Sequence, residues 1–179
     1  MKWLTSSHIP AVIIGGVAAS VLGRPRLTQD IDALAILPEE EWAKALEGAA
    51  QFAIVARVSD PLAFARQSRV LLMRHAKSGI ALDIVFGGLP FEQVAVEKSQ
   101  THNIGGVPVQ LPRVEDLLVM KAIARRPKDL EDIRGLLTAH PNADIAAARR
   151  WVREFAAAMG MSDMLDEFDS LVSQRPLKG

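Results

Sequence analysis

The chain has 179 residues, of which 49% are hydrophobic, and its 21 basic and 21 acidic residues give a formal net charge of zero. This composition supports a packed core and argues against disorder, while zero net charge argues against nucleic-acid binding by bulk electrostatic attraction. Because the chain has no cysteine, disulfides, thiolate nucleophiles and zinc–sulfur sites are excluded.

The first two thirds of the chain alternate apolar runs typical of strands with short helical patterns. The predicted strands are residues 11–14, 30–37, 52–58, 69–75 and 80–86, with short strands around a turn at 103–111. The predicted helices are residues 17–23, 38–52, 60–67 and 91–97. Lys77-Ser78-Gly79 predicts a hairpin between the fourth and fifth strands.

The last third of the chain predicts helices only, separated by Pro127, Pro141 and Gly160. These helices are residues 112–125, 128–139, 144–159 and 162–173. The whole pattern predicts an α/β (α+β) fold, with an α/β domain at 1–111 and a small C-terminal helical domain at 112–179.

Asp30 and Asp32 follow a Gly15-Gly16 turn that ends the first apolar run. Residues i and i+2 of a strand project from the same face, so the two carboxylates are expected to lie together while Ile31 points into the core. Carboxylate oxygens are ligands for Mg²⁺, and the backbone N–H groups of a glycine turn at a helix start suit phosphate. This combination indicates phosphoryl or nucleotidyl transfer.

Asp83 is the third candidate metal ligand, in the apolar run 80–86. An aspartate is costly to bury unpaired in such a strand. The alternatives are an aspartate at the exposed rim of the sheet or one paired with a nearby arginine.

Three features in this order resemble the polymerase-β-like nucleotidyltransferase superfamily. They are a Gly-Gly turn, an Asp-x-Asp strand and an aspartate on a later strand, here Gly15-Gly16, Asp30-Ile31-Asp32 and Asp83. The further segments 23–28, 115–121 and 126–133 are similar to those of stand-alone bacterial nucleotidyltransferases of the abortive-infection type, which include toxins. The resemblance covers residues 11–137 and implies a mixed-sheet nucleotidyltransferase domain.

The resemblance implies transfer of a nucleoside monophosphate from an NTP to an acceptor, with release of pyrophosphate and with two Mg²⁺ ions that Mn²⁺ could replace. Asp30 and Asp32 would bind both ions, and Asp83 would bind the catalytic ion and help activate the acceptor oxygen. The residues implied to contact the nucleotide are Gly15, Gly16, Arg26, Thr28 and Asp129. Val17 follows the glycines where a serine could stand, so only backbone N–H groups are expected to hold the triphosphate.

Lys121 lies on the apolar stripe of its predicted helix, where a lysine is unexpected. Either its ammonium reaches water at the edge of the stripe, or it meets the triphosphate or transition-state charge as a catalytic group. Lys121→Met is expected to be neutral or mildly stabilising to the fold. Asp129 either complements its helix dipole or orients Lys121 or a nucleotide group.

Residues 57–77 form the one clearly basic stretch, with five cations against Asp60. The cations are Arg57, Arg66, Arg69, Arg74 and Lys77. They either form an ordinary charged edge of the sheet or suit a polyanionic acceptor such as RNA, for example tRNA, which would fit a toxin with an antitoxin protein as partner. The alternatives are a small hydroxylated antibiotic of the aminoglycoside or lincosamide type as acceptor, and a non-catalytic nucleotide-binding module.

Lys2 and the apolar stretch 9–22 loosely resemble a signal peptide. Pro10 and the two glycines interrupt this stretch, and cleavage near Ala19 would remove the glycine turn. We therefore expect a cytoplasmic protein that does not associate with a membrane.

Overall fold

The computed structural model describes residues 2–175, which divide into two compact units. Unit 1 comprises the residues up to Val17 and Thr28–Pro112, whereas unit 2 comprises Ala18–Leu27 and the residues from Arg113 onward. The segment before the Asp-x-Asp strand is therefore grouped with the C-terminal helices. The domain division at 111/112 stays a prediction.

The described residues form seven strands and nine α-helices, with a 3₁₀ turn at Glu39–Glu41. The strands are β1 (Ala11–Ile14), β2 (Asp30–Ala35), β3 (Ile54–Ala56), β4 (Val70–His75), β5 (Ala81–Phe86), β6 (Gln100–Ile104) and β7 (Val107–Leu111). The helices are α1 (Lys2–Ser6), α2 (Gly15–Leu22), α3 (Trp42–Ala50), α4 (Pro61–Ser68), α5 (Pro90–Glu97), α6 (Val114–Ala124), α7 (Pro127–Ala139), α8 (Ile145–Met159) and α9 (Ser162–Ser173).

Unit 1 is built on a five-stranded mixed sheet in the order β1-β2-β5-β4-β3. Strands β2 and β5 are parallel, and the other neighbouring pairs are antiparallel, including β1 and β2 on either side of α2. Strands β6 and β7 form a separate hairpin. The predicted mixed α/β fold is confirmed, as is the hairpin between β4 and β5.

One face of the five-stranded sheet is packed against α1 and α3. The Trp42 ring of α3 stacks on Phe86 of β5 with centroids 4.1 Å apart, and Trp3 of α1 lines a small apolar cavity of about 140 Å³ with Ile31 and Leu82. Because side chains alternate along a strand, Asp30 and Asp32 lie on the opposite face from Ile31.

Several elements differ from the predictions. Strand β3 covers Ile54–Ala56 rather than residues 52–58, strand β6 begins at Gln100 rather than residue 103, and helix α2 begins at Gly15 rather than residue 17. Helix α1 has only five residues, too few to show a helical period, and its Trp3 is a buried core residue. Strand β2 ends at Ala35 rather than residue 37, and the helix predicted at 38–52 begins as a 3₁₀ turn and becomes α-helical only at Trp42.

Unit 2 consists of helices α6–α9 together with the part of α2 after Val17. The four predicted C-terminal helices are confirmed to within two residues at each end. Leu117, Ile133, Leu136 and Phe168 are fully or almost fully buried and form its apolar core. Among residues 2–175, no helix has both the length and the apolarity that a bilayer crossing requires.

Candidate active site

The three candidate metal ligands lie on one face of two adjacent strands. Asp32 of β2 is directly opposite Asp83 of β5, and Asp30 is opposite Ala81, one row further along the parallel pair. Directly paired residues project from the same face, so the sheet brings the three carboxylates onto one surface. The antiparallel pairing also places Ile14, the last residue of β1, opposite Asp32.

Gly15 follows Ile14 and has a left-handed backbone conformation, with φ of +63°. A Cβ atom added to Gly15 would overlap the Asp32 carboxylate. Only glycine therefore lets the backbone pass beside Asp32 in this conformation. The role predicted for Gly15 and Gly16, binding of phosphate, stays a prediction.

Asp30 and Asp83 are each held by a neighbouring side chain. The Thr28 hydroxyl donates a hydrogen bond of 2.9 Å to an Asp30 carboxylate oxygen. The Arg57 guanidinium forms an ion pair with Asp83, which is the arginine pairing considered as an alternative from the sequence. Arg57 comes directly after β3 and extends its ladder, because its N–H donates to the Leu72 carbonyl at 2.9 Å.

The basic stretch predicted at residues 57–77 is divided by the fold. Arg66 pairs with Glu39, and Arg69 donates to the Phe86 and Gly87 carbonyls and lies 5.8 Å from the centroid of the Trp42 ring. Lys77 lies in the turn between β4 and β5. Only Arg57 and Arg74 share the carboxylate face of the sheet.

Unit 2 contains a buried cluster of charged side chains around Lys121. The Lys121 ammonium, with the residue 3% exposed, lies 2.9 Å from Asp129 and 2.7 Å from Asp132. Arg126 also pairs with Asp129, and Arg26 forms two hydrogen bonds with Asp132. The cluster thus contains three cations and two carboxylates. Lys121 does not reach water at the edge of the helix, and Asp129 does contact it.

The cations hold both carboxylates of this cluster in the ionised form. Burial alone raises the pKa of Asp129, but hydrogen bonds from Arg126 and Lys121 outweigh it, so the pKa lies below its usual value. Burial likewise raises the pKa of Asp132, and hydrogen bonds from Arg26 and Lys121 reverse that effect.

Because of this cluster, we expect the stability of the fold to decrease in acid. A carboxyl with a folded-state pKa below its unfolded value of about 3.9 stabilises the fold above that pH, and the stabilisation is lost as pH falls through the folded pKa. The melting temperature should therefore fall from about pH 4 downward. Asp132→Asn removes one of the titrating carboxyls, so its melting temperature should fall less steeply there. A slope equal to that of wild type and of the exposed control Asp166→Asn would contradict the prediction.

Comparison with known families identifies the chain. A family model described as the nucleotidyl transferase AbiEii toxin of type IV toxin–antitoxin systems matches residues 4–177. The chain belongs to the AbiEii nucleotidyltransferase family. The resemblance predicted from the sequence is confirmed, and this AbiEii-family protein is a nucleotidyltransferase. No curated protein matches the chain.

Solved structures share the fold of this AbiEii-family protein. The solution structure of the antibiotic-resistance factor ANT(2'')-Ia has a TM-score of 0.60 at 14% identity, over 90% of each chain. An antigenic nucleotidyltransferase-like protein from Paracoccidioides brasiliensis gives 0.55 at 19% identity, over 93% of this chain and 88% of that one. The lincosamide adenylyltransferase LnuA, solved with lincomycin, has a TM-score of 0.54 at 15% identity, over 77% of this chain and 92% of that one.

The aspartates of the AbiEii-family protein have the chemistry that a divalent metal needs. Their donors are all carboxylate oxygens, which Mg²⁺ prefers, and they come from adjacent positions on one face. Within residues 2–175, no three acidic, histidine or cysteine side chains converge closely enough to hold an ion. Asp83 is paired with Arg57, and Asp30 accepts a hydrogen bond from Thr28. Asp30, Asp32 and Asp83 therefore fit the metal by donor type and by their shared face of the sheet.

Two contacts of this AbiEii-family protein could not be predicted from the sequence. The Arg57–Asp83 pair joins residues 26 positions apart, and Arg26–Asp132 joins residues 106 apart. A basic residue near an acidic motif is the only signal that the sequence offers for such a pair, and it does not select the partner.

Proposed function

We infer that this protein is a metal-dependent nucleotidyltransferase that moves a nucleoside monophosphate from an NTP to an acceptor hydroxyl. The observation that carries the inference is the pairing of Asp32 with Asp83 on adjacent strands, with Asp30 one row away and Gly15 against Asp32. Membership of the AbiEii toxin family supports a toxin–antitoxin role, with an antitoxin as partner. We propose tRNA as the acceptor because Arg57 and Arg74 give the carboxylate face of the sheet a basic side.

The chain's own groups have separate roles in this reaction. Asp30 and Asp32 would hold divalent metal between them and the phosphates, and Asp83 would bind the catalytic ion and face the acceptor. The backbone N–H groups of Gly15 and Gly16, at the start of α2, would bind triphosphate oxygens. Bound metal neutralises phosphate charge and keeps the attacking and leaving oxygens in line.

The transfer step breaks one bond and forms one. The acceptor oxygen bonds to the α-phosphorus of the NTP, and the bond between that phosphorus and the oxygen bridging to the β-phosphate breaks. Pyrophosphate leaves with the electron pair of the broken bond. The proton of the acceptor hydroxyl passes to a carboxylate oxygen of Asp83, which must first release Arg57.

The resemblance to the family suggests four further residues of the nucleotide site, which are Arg26, Thr28, Lys121 and Asp129. Thr28 contributes by orienting the Asp30 carboxylate through their hydrogen bond. In unit 2, Asp129 and Asp132 hold the Lys121 ammonium in place. Because the Lys121 ammonium is buried and paired with both carboxylates, it would have to leave at least one of them to contact a phosphate.

The direct test is transfer of label from each α-³²P-labelled NTP, with Mg²⁺ or Mn²⁺, to total tRNA or to an antibiotic panel. The panel contains tobramycin and lincomycin, because the fold resembles enzymes solved with the adenylylated drug or the drug itself. Label on tRNA is the expected result. Label on a drug would instead favour antibiotic nucleotidylation, and NTP binding without transfer would favour a non-catalytic module.

We also expect metal and NTP to stabilise the protein against heat. A ligand that binds only the folded state stabilises it by mass action, so Mg²⁺ with NTP should raise the melting temperature more than either alone. Asp83→Asn should lose most of this shift, whereas Asp166→Asn, on an exposed position of α9, should keep it. An equal shift in both variants would remove Asp83 from the metal site.

A further inference from the structure

The carboxylate face of the sheet is acidic on one side and basic on the other. Three aspartates stand on β2 and β5, while Arg74 stands on β4 and Arg57 directly after β3. The register gives two rows across this face. One row runs Asp32, Asp83, Leu72, Arg57, and the other runs Asp30, Ala81, Arg74, Val55.

In the proposed reaction, the two sides of this face would contact different substrates. Gly15 adjoins Asp32 from the β1 side, so the NTP phosphates of the proposed reaction belong there. Asp83, proposed to face the acceptor, has β4 as its other neighbour. If the triphosphate lies on the β1 side of Asp83, the acceptor approaches Asp83 from the other side. It then lies over β4 and β3.

Arg74 is the cation on this face that is available for a ligand. Its side chain is exposed and has no acidic partner among residues 2–175, unlike those of Arg57 and Arg66. Arg74 is paired with Ala81, so Asp83 is its diagonal neighbour, at a Cα separation of about 7–8 Å. An arginine side chain spans such a gap, and the β5 residue directly opposite Arg74 is the small Ala81.

A guanidinium at this position favours acceptors that carry negative charge and disfavours those that carry positive charge. Arginine binds phosphate oxygens through two parallel N–H donors, which fix the orientation of the group as well as its position. A polycationic acceptor such as an aminoglycoside would meet Arg57 and Arg74 with like charge, and like-charge contacts suppress the wrong partner.

We propose that Arg74, with Arg57 beside it, binds a phosphate adjacent to the reacting hydroxyl, so that the acceptor is a phosphate-bearing molecule and not a polycationic drug. This proposal rests on the proposed function and specifies its acceptor. The phosphate could belong to the 3′ end of an RNA or to a small phosphorylated hydroxyl compound, and the experiment below separates them.

The test compares Arg74→Gln with Arg66→Gln, which removes the same charge from an exposed arginine on α4. Binding of fluorescently labelled tRNA is measured by anisotropy at several salt concentrations, without NTP, so that no turnover is needed. Transfer from labelled NTP is measured to tRNA, to ribose 5-phosphate and to tobramycin. We expect Arg74→Gln to weaken tRNA binding at least tenfold and to raise the KM for tRNA, with the KM for NTP within twofold of wild type. Arg66→Gln should match wild type in both assays.

Each outcome separates the acceptor proposal from the proposed function. Binding of tRNA that depends on Arg74 supports the acceptor proposal, even if no transfer occurs and the proposed function fails. Transfer to ribose 5-phosphate that depends on Arg74, without tRNA binding, supports the phosphate contact and assigns it to a small acceptor. Transfer to tRNA with unchanged KM in Arg74→Gln, or preferred transfer to tobramycin, overturns the acceptor proposal and leaves nucleotidyl transfer intact. Absence of both binding and transfer overturns both.

Discussion

Asp32→Asn is expected to abolish nucleotide transfer while leaving the fold intact. Asparagine keeps the size of the side chain and removes the negative charge with which Asp32 would hold the metal against the NTP phosphates. Loss of such electrostatic stabilisation costs at least about a hundredfold in rate. Removal of one of three carboxylates from a single sheet face also relieves repulsion with Asp83, directly opposite. The metal-free variant should therefore melt at the wild-type temperature or slightly above it.

The measurements for Asp32→Asn are the transfer rate and the melting temperature without metal. The matched control is Asp166→Asn, the same chemical change at an exposed position of α9, which should retain the wild-type rate. If Asp32→Asn transfers label at the wild-type rate and melts normally, Asp32 is not a metal ligand. If it melts many degrees lower, the carboxylate has a structural role that the register does not reveal.

Lys121→Met is expected to destabilise the protein strongly. Methionine matches the aliphatic part of lysine, but its loss of charge leaves Asp129 and Asp132 buried with one cation fewer each. Breaking a buried ion pair by removal of one partner costs about 3–5 kcal/mol, and the lower end applies because Arg126 and Arg26 remain. For a protein of this size, about 3 kcal/mol corresponds to a fall in melting temperature of roughly 6–12 °C.

This expectation reverses the one drawn from the sequence, in which methionine on an apolar stripe is neutral or mildly stabilising. The physical reason is that the lysine head does not reach water and is instead enclosed with two carboxylates. Lys128→Met, at an exposed position of α7, is the control and should change the melting temperature little. A Lys121→Met variant as stable as this control would show that the cluster does not stabilise unit 2.

Activity separates a functional Lys121 from a structural one. The double variant Lys121→Met with Asp132→Asn removes one positive and one negative charge from the cluster, and should recover part of the lost stability. If Lys121 meets phosphate, the double variant should still transfer at least about a hundredfold more slowly than wild type. A rate that recovers together with the melting temperature would assign Lys121 to structure alone.

The sequence by itself determined the order and type of most elements and the three aspartates of the candidate site. Strand alternation is local, so Asp30 and Asp32 could be placed on one face and Ile31 on the other without any knowledge of the fold. The motif order from Gly15 to Asp83 was also sufficient to indicate the family. Helix α1 could not be predicted, because five residues carry no periodic signal.

The tertiary structure alone decided which charges meet. The parallel pairing of β2 with β5 sets Asp32 opposite Asp83, and the same ladder leaves Arg74 on the carboxylate face while Arg66 and Arg69 contact other partners. Likewise, only the packing of unit 2 encloses Lys121 between Asp129 and Asp132. A sequence shows which charged residues exist. The free energy of each charge depends on its burial and on partners that are distant in the chain, and both are set only when the chain folds.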